Sequence, residues 1–175
     1  GVRAGLDAVI LSPSGLMGPF DFGPSRLGEA LLQLYRQSLP ALVQGAYDWV
    51  DVRDVVTSAL TAETKGQKGE RYLVSGTWTS VRELADIAAE VTGKAPPRFN
   101  APLWVARWTA PMMEFWARIS GASALYTTES VRVLGENGRF CNDKARAELG
   151  HHPRPLRETI ADTYAWFHEM GYLDD

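Results

Sequence analysis

A chain of 175 residues, 45% of them apolar, buries roughly 70% of its unfolded surface on folding, enough for one core and little beyond it. Its formal charge is -3, and Arg3, Arg26, Arg53, Arg98, Arg107, Arg139 and Arg157 are scattered rather than striped, which argues against the cationic track that nucleic-acid phosphates demand. A single cysteine, Cys141, closes no internal disulfide and points to a cytoplasmic setting; the longest apolar stretch, 102–119, is interrupted by Arg107, Pro111, Glu114 and Arg118 and reads as no membrane span.

In chain order, the apolar run 6–11 predicts a strand that opens onto the turn Ser12-Pro13-Ser14-Gly15-Leu16-Met17-Gly18-Pro19. Bare backbone and small hydroxyls at a strand's carboxyl end are where open α/β sheets bind ligands. Residues 25–38 carry Leu27, Leu31 and Leu34 at helical spacing and form an amphipathic helix. Large and acidic residues alternate over 47–52, a short strand, after which Asp54 is expected to cap a helix through about residue 64. A polar turn at 65–69 leads to a strand over 71–75, so that strand, helix and strand predict a parallel crossover.

Ser80 and Glu83 form a capping box, Leu84, Ile87, Ala88 and Val91 the apolar stripe of the helix that follows, and Gly93 its stop. Residues 96–100 are extended, and a Trp-rich helix pair follows, broken near Pro111 and again at Gly121. A short strand is expected at 139–141, then a brief helix capped by Asn142 or Asp143 and ending at Gly150. Pro155 opens the last helix, which aligns Leu156, Ile160, Tyr164 and Phe167 until Gly171.

The polar candidates read mostly as architecture. Asp51 and Asp54 cap the helix and anchor its turn, with Arg53 free to pair with either. His151 and His152 diverge, His168 stands alone, and no metal-ligand spacing accompanies them, so no metal is assigned. Cys141 reads as an inert buried thiol. Trp104, Trp108, Phe115 and Trp116, with Met112 and Met113, either pack on the core or line an apolar pocket; Arg107, Glu114 and Arg118 are too mixed in sign for a membrane-surface helix.

Taken together, the opening turn, Trp49-Val50-Asp51-Val52-Arg53-Asp54-Val55, Tyr72-Leu73-Val74-Ser75-Gly76 with Ser80-Val81-Arg82-Glu83-Leu84, and Asp143-Lys144-Ala145-Arg146-Ala147-Glu148-Leu149-Gly150 followed by Pro153-Arg154-Pro155-Leu156 resemble the C-terminal half of extended short-chain dehydrogenase/reductases, in the dihydroflavonol-reductase-like and NAD-dependent epimerase/dehydratase branch. The resemblance implies an α/β fold: terminal strands and helices of a Rossmann-type parallel sheet (1–20 and 54–76) and a mostly helical substrate-binding lobe (21–53 and 77–175). It implies NAD or NADP in the complete enzyme, with Pro13, Ser14 and Gly15 holding the nicotinamide carboxamide through their backbone. Met17, Phe20, Phe22, Tyr47, Trp49, Trp104 and Trp108 would then lie near the substrate.

No Gly-rich phosphate loop and no Tyr followed four residues later by Lys occurs, and the chain opens on Gly1. The catalytic and nucleotide-binding half is therefore expected on a missing N-terminal partner, the isolated chain is expected to be inactive with no catalytic residue of its own, and the uncovered surface is expected to promote self-association. Tyr47 stands where nucleotide-sugar epimerases of this superfamily place a phosphate-binding arginine, and Arg132-Val133-Leu134-Gly135 does not reproduce their second one. That favours a small, weakly polar carbonyl or secondary alcohol over a nucleotide sugar. A nucleotide-sugar epimerase/dehydratase fragment and a stand-alone non-catalytic binding module are the alternatives.

Overall fold

The structure is a computed structural model that describes residues 5–120, 127–135, 138 and 140–173, with backbone alone for 113–120. Strands β1 (Ile10–Pro13) and β2 (Gly15–Met17) open it, followed by α1 (Arg26–Tyr35), β3 (Leu42–Val43), β4 (Ala46–Asp51), α2 (Val52–Lys65), β5 (Arg71–Val74), β6 (Thr77–Ser80), α3 (Val81–Thr92), β7 (Asn100–Ala101), α4 (Leu103–Ser120), α5 (Thr128–Leu134), α6 (Asp143–Leu149) and α7 (Leu156–Glu169). This is the expected mixed α/β fold with parallel strands.

β1 pairs in parallel with β5, β4 lies between parallel β2 and antiparallel β6, and β3 pairs in parallel with β7. The first two sheets are one structure that splits. β1 continues into β2 through Ser14 alone, β5 continues into β6 through Ser75 and Gly76, and β4 is wedged between the two continuations.

Two expectations are corrected here. Ser12 and Pro13 belong to the strand, and the break falls at Ser14 alone, whose N–H donates to Val74 O at 3.2 Å as the last bond of that ladder. Proline is tolerated because Ile10 and Ser14 donate to the β5 side; by strand alternation Pro13 addresses the opposite edge, where a missing N–H removes no ladder bond. The β4–α2–β5 run is not a crossover between paired strands either, since β5 takes β1 as its partner and β4 takes β2 and β6.

Local chemistry starts and stops the helices. Ser25 accepts from Gly28 N–H, the Ser80/Glu83 box forms, and Gly93 and Gly150 end α3 and α6 with φ of 70° and 66°. The cap of α2 is Asp51, which accepts from Arg53 N–H, and not Asp54, one turn further in. α4 runs through Pro111 without breaking. Pro111 is exposed, and as a proline it offers the Arg107 carbonyl no helical N–H donor; Gly121 lies outside the described residues. Of the strand expected at 139–141, Phe140 and Cys141 are not in a strand and residue 139 lies outside the described residues. Cys141 is exposed, with Sγ donating to Asp143 Oδ2 at 3.1 Å, which corrects the buried-thiol reading. α5, absent from the sequence reading, is capped by a Thr127/Ser130 box.

Three apolar clusters hold the elements. The largest joins α1, α3 and α7 through Leu31, Leu32, Leu84, Ala85, Ile160 and Phe167, with the Tyr164 hydroxyl donating to Leu31 O at 2.9 Å. A second unites Val43, Ala106, Ala110 and Val131; a third sets Ala62, Ala145 and Leu149 against Tyr72 beneath the β1/β5 pair.

Candidate functional site

The site lies where β1 and β5 part. Their splaying leaves room for β4 only if two positions carry no side chain. A Cβ on Gly76 would stand 1.9 Å from Trp49 O, and one on Gly15 would stand 2.8 Å from the Trp49 ring and 2.9 Å from that of Tyr47. The linking residues are held from behind. Asp48, 3% exposed, accepts from Gly76 N–H at 2.6 Å, and Ser75 O accepts from Asn142 Nδ2 at 2.9 Å and faces His151 Nε2 at 2.8 Å. His151 is therefore a buried bridge, with Nδ1 2.9 Å from Ser58 Oγ, and among the described residues no His, Cys, Asp and Glu cluster could hold a metal.

Against this rigid frame, Ser14 Oγ and Trp49 Nε1 are buried and make no hydrogen bond. Each such group costs stability unless something supplies a partner, and native proteins keep few of them. Trp49 stacks edge-on with Tyr47 at 5.4 Å, and Tyr47 in turn with Phe140 at 6.2 Å.

Two cavities adjoin the split. Tyr47 and Trp49 line one of about 360 Å³ together with Leu34, Leu39, Leu42, Leu84, Val133 and Leu134; Arg26 and Thr127 also line it, the Arg26 guanidinium donating to Thr127 Oγ1 at 3.1 Å. The other, about 690 Å³, is lined by Met17, Gly18, Pro19, Phe20, Asp21, Val52, Arg53 and Val56, and the two share Leu27. Phe20 reaches its wall with φ of 74°, a left-handed conformation unusual for an aromatic residue.

The predicted site residues thus separate. Met17 and Phe20 line the larger cavity, Tyr47 and Trp49 the smaller. Phe22, 65% exposed, packs edge-on against Trp166 at 5.3 Å and lines neither. Trp104 and Trp108, 67% and 83% exposed, also line neither, because the buried face of α4 is carried by Ala106 and Ala110. Pro13, Ser14 and Gly15 sit at the split itself. Ser14 N–H is already bonded to Val74 and proline has none, so Ser14 Oγ is the free donor of that trio's first two residues. Arg26 and Thr127 were missed in the sequence; the Thr127-x-x-Ser130 pattern was the available signal.

No acid–base pair emerges from the carboxylates. Burial pushes the Asp51 carboxyl up, but hydrogen bonds from the Arg53 side chain and N–H and from Thr159 outweigh it and leave the group below its ordinary range, hence ionised. Arg53 also reaches Asp162 at 2.7 Å, and Arg154 holds Asp54. The Tyr72 hydroxyl, beneath Lys144, accepts from Gln67 N–H, which favours the phenolate, yet its donation to Glu148 at 2.6 Å and its burial prevail and raise its pKa.

No protein-family model matches the chain. It is 34% identical over 171 residues to sterol demethylase protein B of Methylococcus capsulatus, covering 97% of this chain and 52% of that protein, and 30% identical over 175 residues to a putative dihydroflavonol 4-reductase of Synechocystis, covering 98% and 51%. The crystal structure of gox2253 superposes with a TM-score of 0.78 at 30% identity, over 95% of this chain and 51% of that one. The chain spans about half the length of the curated relatives it matches. More distant structures of the same fold, at 14–20% identity and TM-scores of 0.63–0.64, hold NAD or NADPH; one is a UDP-glucuronic acid 4-epimerase from Bacillus cereus in complex with UDP-glucuronic acid and NAD. Fold and split together match about half of a Rossmann-like epimerase/reductase fold. In sequence and fold the chain is similar to about half of each of these proteins, the sterol demethylase protein B and the dihydroflavonol 4-reductase-like relative among them.

Proposed function

We propose that this chain is the substrate-binding part of an NAD(P)-dependent oxidoreductase acting on a carbonyl or secondary alcohol of a small, weakly polar molecule. The observation that carries the reading is the pair of unpartnered buried groups, Ser14 Oγ and Trp49 Nε1, on either side of the place where parallel strands part. Pro13, Ser14 and Gly15 fit a nicotinamide edge, since they offer bare backbone and one hydroxyl still in need of a partner. When bound, the cofactor supplies hydride; this chain's residues fix the ring face and exclude water. Tyr47 and Trp49 hold the substrate in the smaller cavity, with the indole N–H donating to its oxygen, and Met17 and Phe20 close the neighbouring one.

The weakly polar substrate follows from the lining. Among the described residues Arg26 is the one cation lining the smaller cavity, and Arg53, the one lining the larger, is already bonded to two carboxylates. A diphosphate would lack the guanidinium partners its charge requires. The relative named for sterol demethylation agrees with this reading, and the UDP-sugar enzymes of the same fold define the alternative.

We assign the described residues 5–20 and 54–76 to the sheet side, joined by α6 because Ala145 and Leu149 pack beneath Tyr72. The edge of β1 that Leu11 and Pro13 address is unpaired among the described residues and is where a strand of a nucleotide-binding half would add. No described helix is long and apolar enough to cross a membrane, and the single, exposed Cys141 suits a reducing cytoplasm. Calorimetric titration with NADH and NADPH tests the division of labour: the chain alone is expected to bind neither tightly and to reduce no carbonyl substrate. Micromolar binding with turnover by this polypeptide alone overturns it.

A further inference from the structure

α4 presents an aromatic face to solvent that the proposed chemistry does not use. Trp104, Trp108 and Met112 recur every four residues, so they form one stripe, and they are 67%, 83% and 59% exposed; Phe99, just before the helix, is 75% exposed. The opposite face is fixed, with Ala106 and Ala110 buried against Val43 and Val131. The stripe is therefore held outward by packing, and single exposed apolar residues are common where such a row is not.

We propose that this face seats the protein on a lipid surface, without crossing it. Three observations select that occupant. The indoles are amphipathic, and tryptophan favours the headgroup level of a bilayer over either the hydrocarbon or water. The described charges beside the row are Arg98 and Arg107, both exposed and in no ion pair among the described residues; Glu114 and Arg118, which make the helix as a whole mixed in sign and speak against a surface helix on sequence alone, lie further along α4 and offset one another in charge, so the cationic character is that of the Phe99–Met112 end. A local cationic, aromatic face on an acidic protein complements anionic headgroups. The same charges disfavour a second copy, because a two-fold contact through this face would set arginine against arginine. Further strands adding to β1 belong to a different cluster, that of Val9, Leu11 and Tyr72, which leaves α4 uncovered by them.

The face also lies next to the smaller cavity. Leu134 packs against the α4 cluster and lines that cavity, as does Val133. An apolar ligand leaving a bilayer at α4 would meet one helix, α5, before the cavity. Seating on a lipid surface does not depend on the oxidoreductase reading.

Co-sedimentation with phosphatidylcholine vesicles, with and without phosphatidylglycerol, tests the proposal, using the chain as it is together with W104A/W108A and R98Q/R107Q, each checked for unchanged circular dichroism. The wild-type chain is expected to pellet with anionic vesicles, less at high salt. The double Trp variant is expected to lose at least about tenfold in vesicle affinity, and the double Arg variant to lose the preference for phosphatidylglycerol. A chain that stays in solution with every vesicle, or a Trp variant that binds as well as wild type, overturns it. So does light scattering in which W104A/W108A converts a dimer to a monomer with no vesicle binding by either protein, which would make the face an interface between copies.

Discussion

Arg154 closes three bonds on Asp54: its Nε and Nη2 donate to Oδ1 at 3.0 and 2.8 Å, and its backbone N–H donates to Oδ2 at 2.8 Å. The two residues are 100 apart in sequence, so this contact ties the first turn of α2 to the segment that enters α7. Asp54 is 7% exposed and is left with a buried charge when its partner is removed. Arg154→Ala is expected to cost about 3 kcal/mol, because breaking one side of a buried pair is far worse than never having it. The urea midpoint followed by circular dichroism checks this; a midpoint equal to wild type would make the pair an ornament of the surface.

Asp51 makes the protein acid-labile in a definite window. Its folded-state pKa lies below its ordinary 3.8, so the group stabilises the fold fully above that value and loses its contribution as pH falls through the lowered one. Asp51→Asn is therefore expected to be less stable than wild type near neutral pH and to show a shallower fall in stability below pH about 4. Denaturant unfolding of both proteins across that range decides it; parallel curves would remove Asp51 from the account.

The two glycines of the split should respond differently. Gly76→Ala drives a methyl against the Trp49 carbonyl, backbone that cannot give way, and is expected to cost about 3 kcal/mol or more or to prevent folding. Gly15→Ala meets only the Trp49 and Tyr47 rings, which can turn. It is expected to cost about 1–2 kcal/mol and to reshape the smaller cavity, read as loss of hydrophobic-ligand binding with the fold retained. Equal losses of stability would contradict the geometry.

Ser14 should trade stability for function. Its hydroxyl is buried without a partner, so Ser14→Ala is expected to hold or raise stability by about 1 kcal/mol. If the hydroxyl serves the nicotinamide, the same variant lowers cofactor affinity in the chain combined with a nucleotide-binding half. A variant that is markedly destabilised would mean that the hydroxyl already has a structural partner.

Elements specified by short-range chemistry were legible from the sequence. Ser25, the Ser80/Glu83 box, Gly93 and Gly150 fix helix ends through bonds made within a few residues, and the 3.6-residue stripe of α7 places Leu156, Ile160, Tyr164 and Phe167 inward whatever the neighbours are. α4 does not follow the same rule: proline usually ends a helix, but here it sits at an exposed position of a continuous helix, a fact about burial that no local pattern contains. The caps and stripes were thus determined by sequence alone, because their energies are decided over one or two turns. That β1 and β5 part around β4, that Trp49 and Tyr47 face a cavity while Trp104 and Trp108 face solvent, and that Asp54 meets Arg154 were decided only by the tertiary structure, because each depends on which distant segment occupies the adjoining space.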